Sequence, residues 1–158
     1  MPTLEDKVAH HYAPGALMKK ISEALAEAGA DPRAPKPDDL KAVDEFHTGG
    51  LEATEALLEP LGVSKSMRVL DLGSGIGGTA RFIALRYGAQ VTGIDLTPEF
   101  VETASMLSAR VGLSDATQFH VGSVLDLPLE DRSFDLVTMI HVGMNISDKH
   151  RLFAEAYR

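Results

Sequence analysis

Three glycines and one carboxylate form a pattern in this sequence that suits the binding of a nucleotide-like molecule. Gly73, Gly75 and Gly78 follow the spacing G-x-G-x-x-G, and Asp95 ends the next apolar segment. Such a turn lets backbone N–H groups approach the ligand, while the acid accepts hydrogen bonds from a pair of ribose hydroxyls. The pattern predicts a cofactor site. The alternative is a glycine-rich turn that only closes a strand–helix unit.

A second carboxylate, Asp71, lies two residues before the first glycine and separates two classes of cofactor. A dinucleotide places its pyrophosphate over the turn, where the helix N-terminus favours negative charge, and Asp71 would repel it. S-adenosylmethionine has no phosphate, and its sulfonium and α-ammonium groups both suit a nearby carboxylate. We therefore expect S-adenosylmethionine, with a nicotinamide-dependent oxidoreductase as the alternative.

A parallel sheet is needed to hold these residues, and the chain from Met67 onward alternates strand and helix patterns as such a sheet requires. Thr97, before Pro98, is typical of a helix N-cap, and Gly112 of a helix end. The predicted strands are 68–72, 90–95, 117–121 and 134–140, and the predicted helices are 77–87, 98–111 and 148–158.

The first 60 residues have a different organisation. A helix is expected over 15–29, where Leu17, Ile21 and Leu25 recur at helical spacing and Gly29 follows. Three prolines in residues 31–39 predict a connector, and a second helix is expected over 51–59. We predict that 1–60 is a helical cover over the carboxyl ends of the strands, and that 61–158 is a Rossmann-like cofactor domain.

The chain stops one helix after the fourth strand pattern. A parallel sheet of this kind would continue into a fifth strand, and an apolar 134–140 strand would leave a hydrophobic edge exposed. We expect a domain truncated after the fourth strand and its helix, with its C-terminal strands missing, or else completed at that edge by a second copy or another chain.

The amino-acid composition limits the kinds of partner and location that this chain is expected to have. The 158 residues carry a formal charge of −8 without a Lys/Arg cluster, which argues against a nucleic acid or an anionic membrane as partner. No apolar run reaches membrane-spanning length, the first residues lack a secretory signal pattern, and cysteine is absent. We expect a cytoplasmic chain that acts on a neutral or cationic small molecule. No Asp/Glu/His set has metal-ligand spacing, so no metal is assigned.

Taken together, these segments resemble class I S-adenosylmethionine-dependent methyltransferases over roughly residues 60–158. The likeness is closest to small-molecule N-methyltransferases of the phosphoethanolamine and glycine–sarcosine–dimethylglycine types, and quinone C-methyltransferases look similar over the same core. The likeness to the superfamily rests on Val69–Gly78, Gly93–Asp95, Val121–Pro128 and Phe134–Val137. The closer likeness to the N-methyltransferases also includes Gly49–Thr54 and Asp148-Lys149.

By position, the resemblance implies a role for each site residue. Asp71, Gly73, Ser74 and Gly75 would hold the methionine moiety and Asp95 the ribose, with Leu96, Ser123 and Val124 around the adenine. His141 would lie beside the transferred methyl group, as the candidate catalytic residue. Many relatives have Asp in place of Ser123, and phosphoethanolamine-type enzymes tend to have Asp for His141 and His for Asn145, so the acceptor stays open.

An amine acceptor must arrive unprotonated, so a base helps. Candidates are His141 at the carboxyl end of the fourth strand, and Tyr12 and His47 in the cover, with Asn145 as a further substrate contact. Each could instead be a structural or surface residue. The expected reaction is methyl transfer to a small molecule, with nitrogen favoured. The alternatives are a quinone-type C-methyltransferase and a cofactor-binding fragment without catalysis.

Overall fold

A single parallel sheet organises the protein. The computed structural model describes residues 16–44 and 49–158, and within them four strands pair in the order β3-β2-β1-β4. The strands are β1 (Arg68–Leu72), β2 (Gln90–Asp95), β3 (Thr117–Val121) and β4 (Leu136–Thr138). The order changes direction at β1, and in open α/β sheets ligands bind outside the carboxyl ends of the strands at such a point. The predicted α/β parallel sheet is confirmed.

Six α-helices accompany the sheet in the described residues: α1 (Ala16–Glu27), α2 (Lys41–Asp44), α3 (Gly50–Leu58), α4 (Gly78–Tyr87), α5 (Pro98–Arg110) and α6 (Lys149–Tyr157). Short 3-10 turns lie at Pro37–Leu40, Glu59–Leu61 and Gly143–Asn145. None of the helices described here is long and apolar enough to cross a membrane.

Alternate residues of β1 face opposite helical layers, as the two-residue period of a strand requires. Val69 packs in one cluster with Leu58 of α3 and Ile83 of α4. Leu70 packs in another cluster with Leu152 of α6. The sheet therefore has helices on both faces, as predicted.

Helix α1 packs directly against the glycine-rich turn. Its apolar stripe, Met18, Ile21 and Leu25, is buried in one cluster with Ile76 of the turn and Leu107 of α5. At the start of α1, the Leu17 N–H donates to Glu99 Oε1 at 3.0 Å. The first N–H groups of a helix have no partner within the helix, so this carboxylate from α5 caps α1.

A buried ion pair attaches the segment before residue 45 to α4. Arg81 is 1% exposed, and its guanidinium donates to both carboxylate oxygens of Asp44 and, at 3.4 Å each, to Ala104 O and Ser108 Oγ. This set of partners matches the several donors of a guanidinium and compensates its burial.

One sequence prediction requires correction, and the structure adds detail to two others. β4 covers Leu136–Thr138 instead of 134–140, because it pairs with β1 only from Val69↔Leu136 to Asp71↔Thr138. Thr97 occupies the N-cap position of α5, but its side chain makes no capping hydrogen bond there. The proline-rich connector contains a 3-10 turn from Pro37, a residue whose fixed φ suits the start of a helical turn.

Candidate active site

The glycine-rich turn is held against β2 by its own backbone. The N–H groups of Gly73 and Ser74 donate to the carbonyl of Ile94 at 2.8 and 3.0 Å. Gly73 and Gly75 have φ values of +71° and +54°, a left-handed conformation that costs side-chain-bearing residues energy. Glycine at these two positions thus lets the turn reverse direction close to the end of the strand.

Neighbouring atoms leave no room for a side chain at three glycines of this region. A Cβ on Gly93 would lie 2.6 Å from both Ser74 Oγ and Phe119 Cδ1. A Cβ on Gly78 would lie 2.4 Å from the carbonyl oxygen of Asp44, and one on Gly73 would collide with the side chain of Val142. The third glycine of the motif therefore admits the backbone of the N-terminal segment.

Gly75 differs, because a Cβ built there would meet no atom of the described residues within 4 Å. Its N–H is already bound, donating to Asp95 Oδ2 at 2.8 Å. The space beside Gly75 is therefore available to a ligand that approaches the backbone closely.

Asp95 joins the turn to the start of α5. Besides the bond from Gly75, its Oδ1 accepts the N–H of Thr97 at 2.9 Å, and the residue is buried. Each carboxylate oxygen has a second lone pair, so Asp95 can still accept from a hydroxyl pair while it fixes the turn.

Asp71 is the most strongly perturbed acid of the site. It is 2% exposed, and its Oδ1 accepts from Thr138 Oγ1 at 2.8 Å, while Oδ2 is buried without a hydrogen-bond partner among the described residues. The pKa of Asp71 is raised to about 7, chiefly by burial and to a smaller extent by the negative charge of Asp95, while the hydrogen bond from the Thr138 hydroxyl lowers it. A cationic ligand group near Oδ2 would restore the ionised form.

These observations fit the predicted cofactor. Asp71 Oδ2 and Ser74 Oγ are buried polar atoms that find no hydrogen-bond partner in the part of the chain that the structure describes, and such atoms call for a specific explanation. Asp71 lies in β1 just before the turn, Ser74 and the open space at Gly75 belong to the turn, and Asp95 lies beside it. An ammonium and a ribose would satisfy these groups, whereas a pyrophosphate would meet two acids.

The predicted adenine-contact residues lie at the ends of β2 and β3. Leu96, Ser123 and Val124 are each half-buried. Ser123 Oγ accepts the N–H of Leu125 at 3.2 Å, so its hydroxyl also shapes the turn after β3. Val124 packs against the cluster that contains Leu70 and Leu152.

His141 is exposed and has a φ of +55°, a conformation rare for residues other than glycine. Such backbone strain concentrates at functional sites. The following Gly143–Asn145 turn is tied to α6 by Lys149, whose Nζ donates to Gly143 O at 2.7 Å and also to Ile146 O. Asn145 is exposed on this turn.

Two predicted substrate residues, Tyr12 and His47, lie outside the described residues. No cluster that could hold a metal ion occurs within residues 16–44 and 49–158. A cavity of about 320 Å³ lies between α4 and the segment from Pro37 to Asp44. Gly78 of the glycine motif lines it, but none of the residues assigned to the methionine, ribose or adenine part of the cofactor does. The site is therefore defined by the glycine-rich turn and not by this cavity.

Sequence reasoning missed Thr138 and Val142. Thr138 stands in an apolar strand pattern, and its contact with Asp71 depends on the β1–β4 register. Val142 packs on Gly73 from the loop after β4. The only local signal for Thr138 is a single hydroxyl between apolar neighbours.

Comparison with known proteins gives a consistent result. The family model described as "Methyltransferase domain" matches residues 70–158. The probable chloroplastic tocopherol O-methyltransferase of Oryza sativa subsp. japonica is 43% identical over 94 residues, which are 60% of this chain and 26% of that protein. Phosphoethanolamine N-methyltransferase of Plasmodium falciparum is 31% identical over 115 residues, 70% of this chain and 41% of that protein.

A similar solved structure is also that of a methyltransferase, like the relatives named above. A candidate sarcosine dimethylglycine methyltransferase from Galdieria sulphuraria has a TM-score of 0.65 and 30% identity, covering 67% of this chain and 40% of that one. The chain thus spans less than half the length of these relatives. The matches confirm the predicted resemblance and S-adenosylmethionine as the cofactor class. With a family model that covers residues 70–158, the chain belongs to the methyltransferase domain family.

Proposed function

We propose that this chain binds S-adenosylmethionine at the glycine-rich turn and catalyses methyl transfer to a small-molecule acceptor, with an amine nitrogen favoured. The proposal rests on the buried Oδ2 of Asp71, which has no hydrogen-bond partner within residues 16–44 and 49–158. It lies beside a turn at which those residues leave open space next to Gly75. When bound, S-adenosylmethionine supplies a methyl group on a good leaving group, so the protein has mainly to position the reactants.

Each of the described site residues is assigned to one part of the cofactor. Asp71 Oδ2 holds the ammonium group, and Ser74 Oγ and the Gly75 backbone line the methionine moiety. Asp95 accepts from the ribose through its remaining lone pairs. Leu96, Ser123 and Val124 surround the adenine.

Fewer observed contacts support the residues proposed to bind the methyl acceptor. His141, at the carboxyl end of the sheet, is the candidate base for an amine that must lose a proton, and Asn145 is a candidate substrate contact. Tyr12 and His47 retain the same candidate role. The names of the relatives include N- and O-methyltransferases, so an oxygen acceptor is the second candidate, beside the quinone-type carbon acceptor suggested by the sequence resemblance.

The first test is calorimetric binding of S-adenosylhomocysteine, with NADH as the control ligand. We expect micromolar affinity for the first and none for the second. Asp71→Asn and Asp95→Asn should each weaken binding by about 1–3 kcal/mol, since each removes a charge-assisted hydrogen bond. Asp126→Asn, at an exposed position after β3, is the matched control. Binding of NADH instead, or unchanged affinity in both site variants, would overturn the assignment.

The second test is a panel of acceptors offered with S-adenosylmethionine. Small amines, among them phosphoethanolamine, sarcosine and dimethylglycine, are compared with a quinol-type aromatic acceptor. Transfer to an amine supports the proposal, and transfer only to the aromatic acceptor favours the C- or O-methyltransferase alternative. Cofactor binding without any transfer favours a binding fragment.

Three further predictions belong to the same proposal. We propose that 1–60 acts as a cover and 61–158 as the cofactor domain, supported by the packing of α1 on Ile76. The cytoplasmic location stays a prediction from the sequence. So does a second copy or a completing chain at the β4 edge, which gel filtration of the chain would test.

A further inference from the structure

Thr138 makes a specific contact with Asp71 that the proposed site does not yet use. The β1–β4 register pairs Asp71 with Thr138, and both side chains are buried. Thr138 Oγ1 lies 2.8 Å from Asp71 Oδ1 and 3.4 Å from the carbonyl oxygen of Leu70. Both acceptors belong to β1, so the hydroxyl is held at the carboxyl end of the central strand.

A hydroxyl has a single hydrogen, so Thr138 can donate to only one of these oxygens at a time. When Asp71 is ionised, the shorter distance and the negative charge favour donation to Oδ1. When Asp71 is protonated, its own O–H can donate to Thr138 Oγ1, and the hydroxyl hydrogen then turns toward Leu70 O. Thr138 can therefore satisfy either state of the acid.

The contact also directs the carboxylate. Oδ1 is bound by Thr138, which leaves Oδ2 as the oxygen without a partner among the described residues. Because the two oxygens of a carboxylate rotate together, the hydrogen bond to Oδ1 also sets the direction of Asp71 Oδ2.

We propose that Thr138 is a positioning residue that orients Asp71 and stabilises its carboxylate, so that Oδ2 is ionised and directed to the ammonium group of the cofactor. This inference rests on the proposed function, because it assumes that Asp71 holds that ammonium group. It adds a residue of β4 to the binding site, although Thr138 itself need not touch the ligand.

The effect of Thr138 on the pKa of Asp71 agrees with a role in stabilising the carboxylate. Burial and the charge of Asp95, on β2, raise the pKa of Asp71, and Thr138 lowers it. Loss of the hydroxyl therefore shifts the titration of Asp71 to higher pH. His141 follows β4 in the chain and is a further titratable group near this end of the sheet, so a test must separate it from Asp71.

The test compares Thr138→Val, which keeps the side-chain shape, with Thr138→Ser, which keeps the hydroxyl. The affinity for S-adenosylhomocysteine is measured by calorimetry between pH 5.5 and 8. We expect the wild-type affinity to rise as Asp71 ionises. At pH 7 we expect Thr138→Val to bind about 10-fold more weakly or worse, as for loss of a hydrogen bond to a charged group, with its pH midpoint moved upward. Thr138→Ser should stay close to wild type.

Two controls isolate the mechanism. The same Thr138→Val change on the Asp71→Asn background should have no further effect on affinity. A pH dependence that does not come from Asp71 would persist on that background. 5′-Methylthioadenosine, which lacks the ammonium group, should bind wild type and Thr138→Val equally. Urea unfolding of each variant checks the fold, and if Thr138→Val does not fold, the serine variant and Thr138→Ala carry the comparison.

The outcomes are distinct. Wild-type chain that does not bind S-adenosylhomocysteine would overturn the proposed function itself. Wild-type binding with an unchanged pH midpoint in folded Thr138→Val would overturn the role of Thr138 alone. Equal weakening of both ligands would make Thr138 a structural residue and would also overturn the inference.

Discussion

At the scale of single residues, Asp71 shows that a carboxyl proposed for cofactor binding can reduce the stability of the fold. Its pKa in the folded chain is about 7, above the ordinary value of 3.8. Between these pH values the folded chain holds a proton that the unfolded chain releases. The contribution of this group to stability is therefore lost as the pH rises from about 4 toward 7. A carboxyl buried at this position thus lowers the stability of the ligand-free chain at neutral pH.

Asp71→Asn should consequently stabilise the ligand-free chain while it weakens cofactor binding. The gain in the free energy of unfolding relative to wild type should be larger at pH 8 than at pH 5, because only the wild type must bury a charge at the higher pH. Urea unfolding at both pH values measures this difference. A gain that is the same at both pH values would show that Asp71 does not titrate in this range.

His141 is the second residue whose proposed role can be tested directly, here as the base that accepts a proton from the acceptor. If its imidazole accepts the proton of an amine, His141→Ala should reduce turnover by roughly 10²–10⁴-fold and leave the affinity for S-adenosylhomocysteine unchanged. His141→Asn is the matched control, because asparagine tolerates the left-handed backbone found here at φ +55°. Full turnover in the asparagine variant would assign His141 a conformational role instead of a chemical one.

At the scale of elements, the position of the glycine-rich turn depends on how closely it approaches β2. Gly93→Ala places a Cβ 2.6 Å from Ser74 Oγ and from Phe119 Cδ1, so either the turn or the ring must move. We expect a loss of about 1–3 kcal/mol in the free energy of unfolding, as for other overpacked sites, together with weaker S-adenosylhomocysteine binding. Denaturant unfolding and calorimetry measure the two effects.

Gly122→Ala is the matched control for this change, since its Cβ would meet Ile94 and Pro128 only at 3.4 Å. It should alter stability little. Adding Phe119→Leu to Gly93→Ala should restore part of the stability by making room on one side. Full affinity in Gly93→Ala would mean that the turn does not need its present distance from β2.

The N-terminal segment is attached to α4 through the Asp44–Arg81 ion pair. Asp44→Ala leaves a guanidinium that is 1% exposed without its carboxylate, and loss of one partner of a buried pair costs about 3–5 kcal/mol. Urea unfolding should show this loss. Glu23→Ala, which breaks the exposed Lys19–Glu23 pair, should cost no more than about 1 kcal/mol.

The double variant Asp44→Ala, Arg81→Met separates charge from packing. If the unpaired charge causes the loss, the double variant should be more stable than Asp44→Ala alone, because methionine needs no ionic partner. A double variant as unstable as the single one would instead assign the loss to packing around α4.

The elements differ in how far the sequence could predict them. Strands β1, β2 and β3 follow from local apolar patterns, and their predicted limits match the structure. The length of β4 does not follow from its local pattern. Its limits are set by pairing with β1, which lies more than 60 residues earlier in the chain. The Asp71–Thr138 contact and the cap of α1 by Glu99 depend in the same way on tertiary register, which no local pattern reports.

At the scale of the whole molecule, one chain of contacts joins the cofactor site to the N-terminal helix. Asp95 binds Gly75 and Thr97, and α5, which begins directly after Thr97, carries Glu99, the cap of α1. Ile76, inside the turn, packs in the same cluster as the apolar stripe of α1. A ligand that fixes the turn therefore stabilises the surface on which α1 packs.

This coupling predicts that S-adenosylhomocysteine slows amide hydrogen exchange in Ala16–Glu27. At 100 times its Kd, a ligand stabilises the folded state by about 2.7 kcal/mol, and the coupled part of this should appear in α1 although α1 contributes no predicted cofactor contact. Glu99→Ala removes the cap from α1 and should reduce the protection there more than in α6, on the opposite face of the sheet. Protection confined to residues 71–97, with α1 unchanged, would show that the cover and the cofactor site open independently.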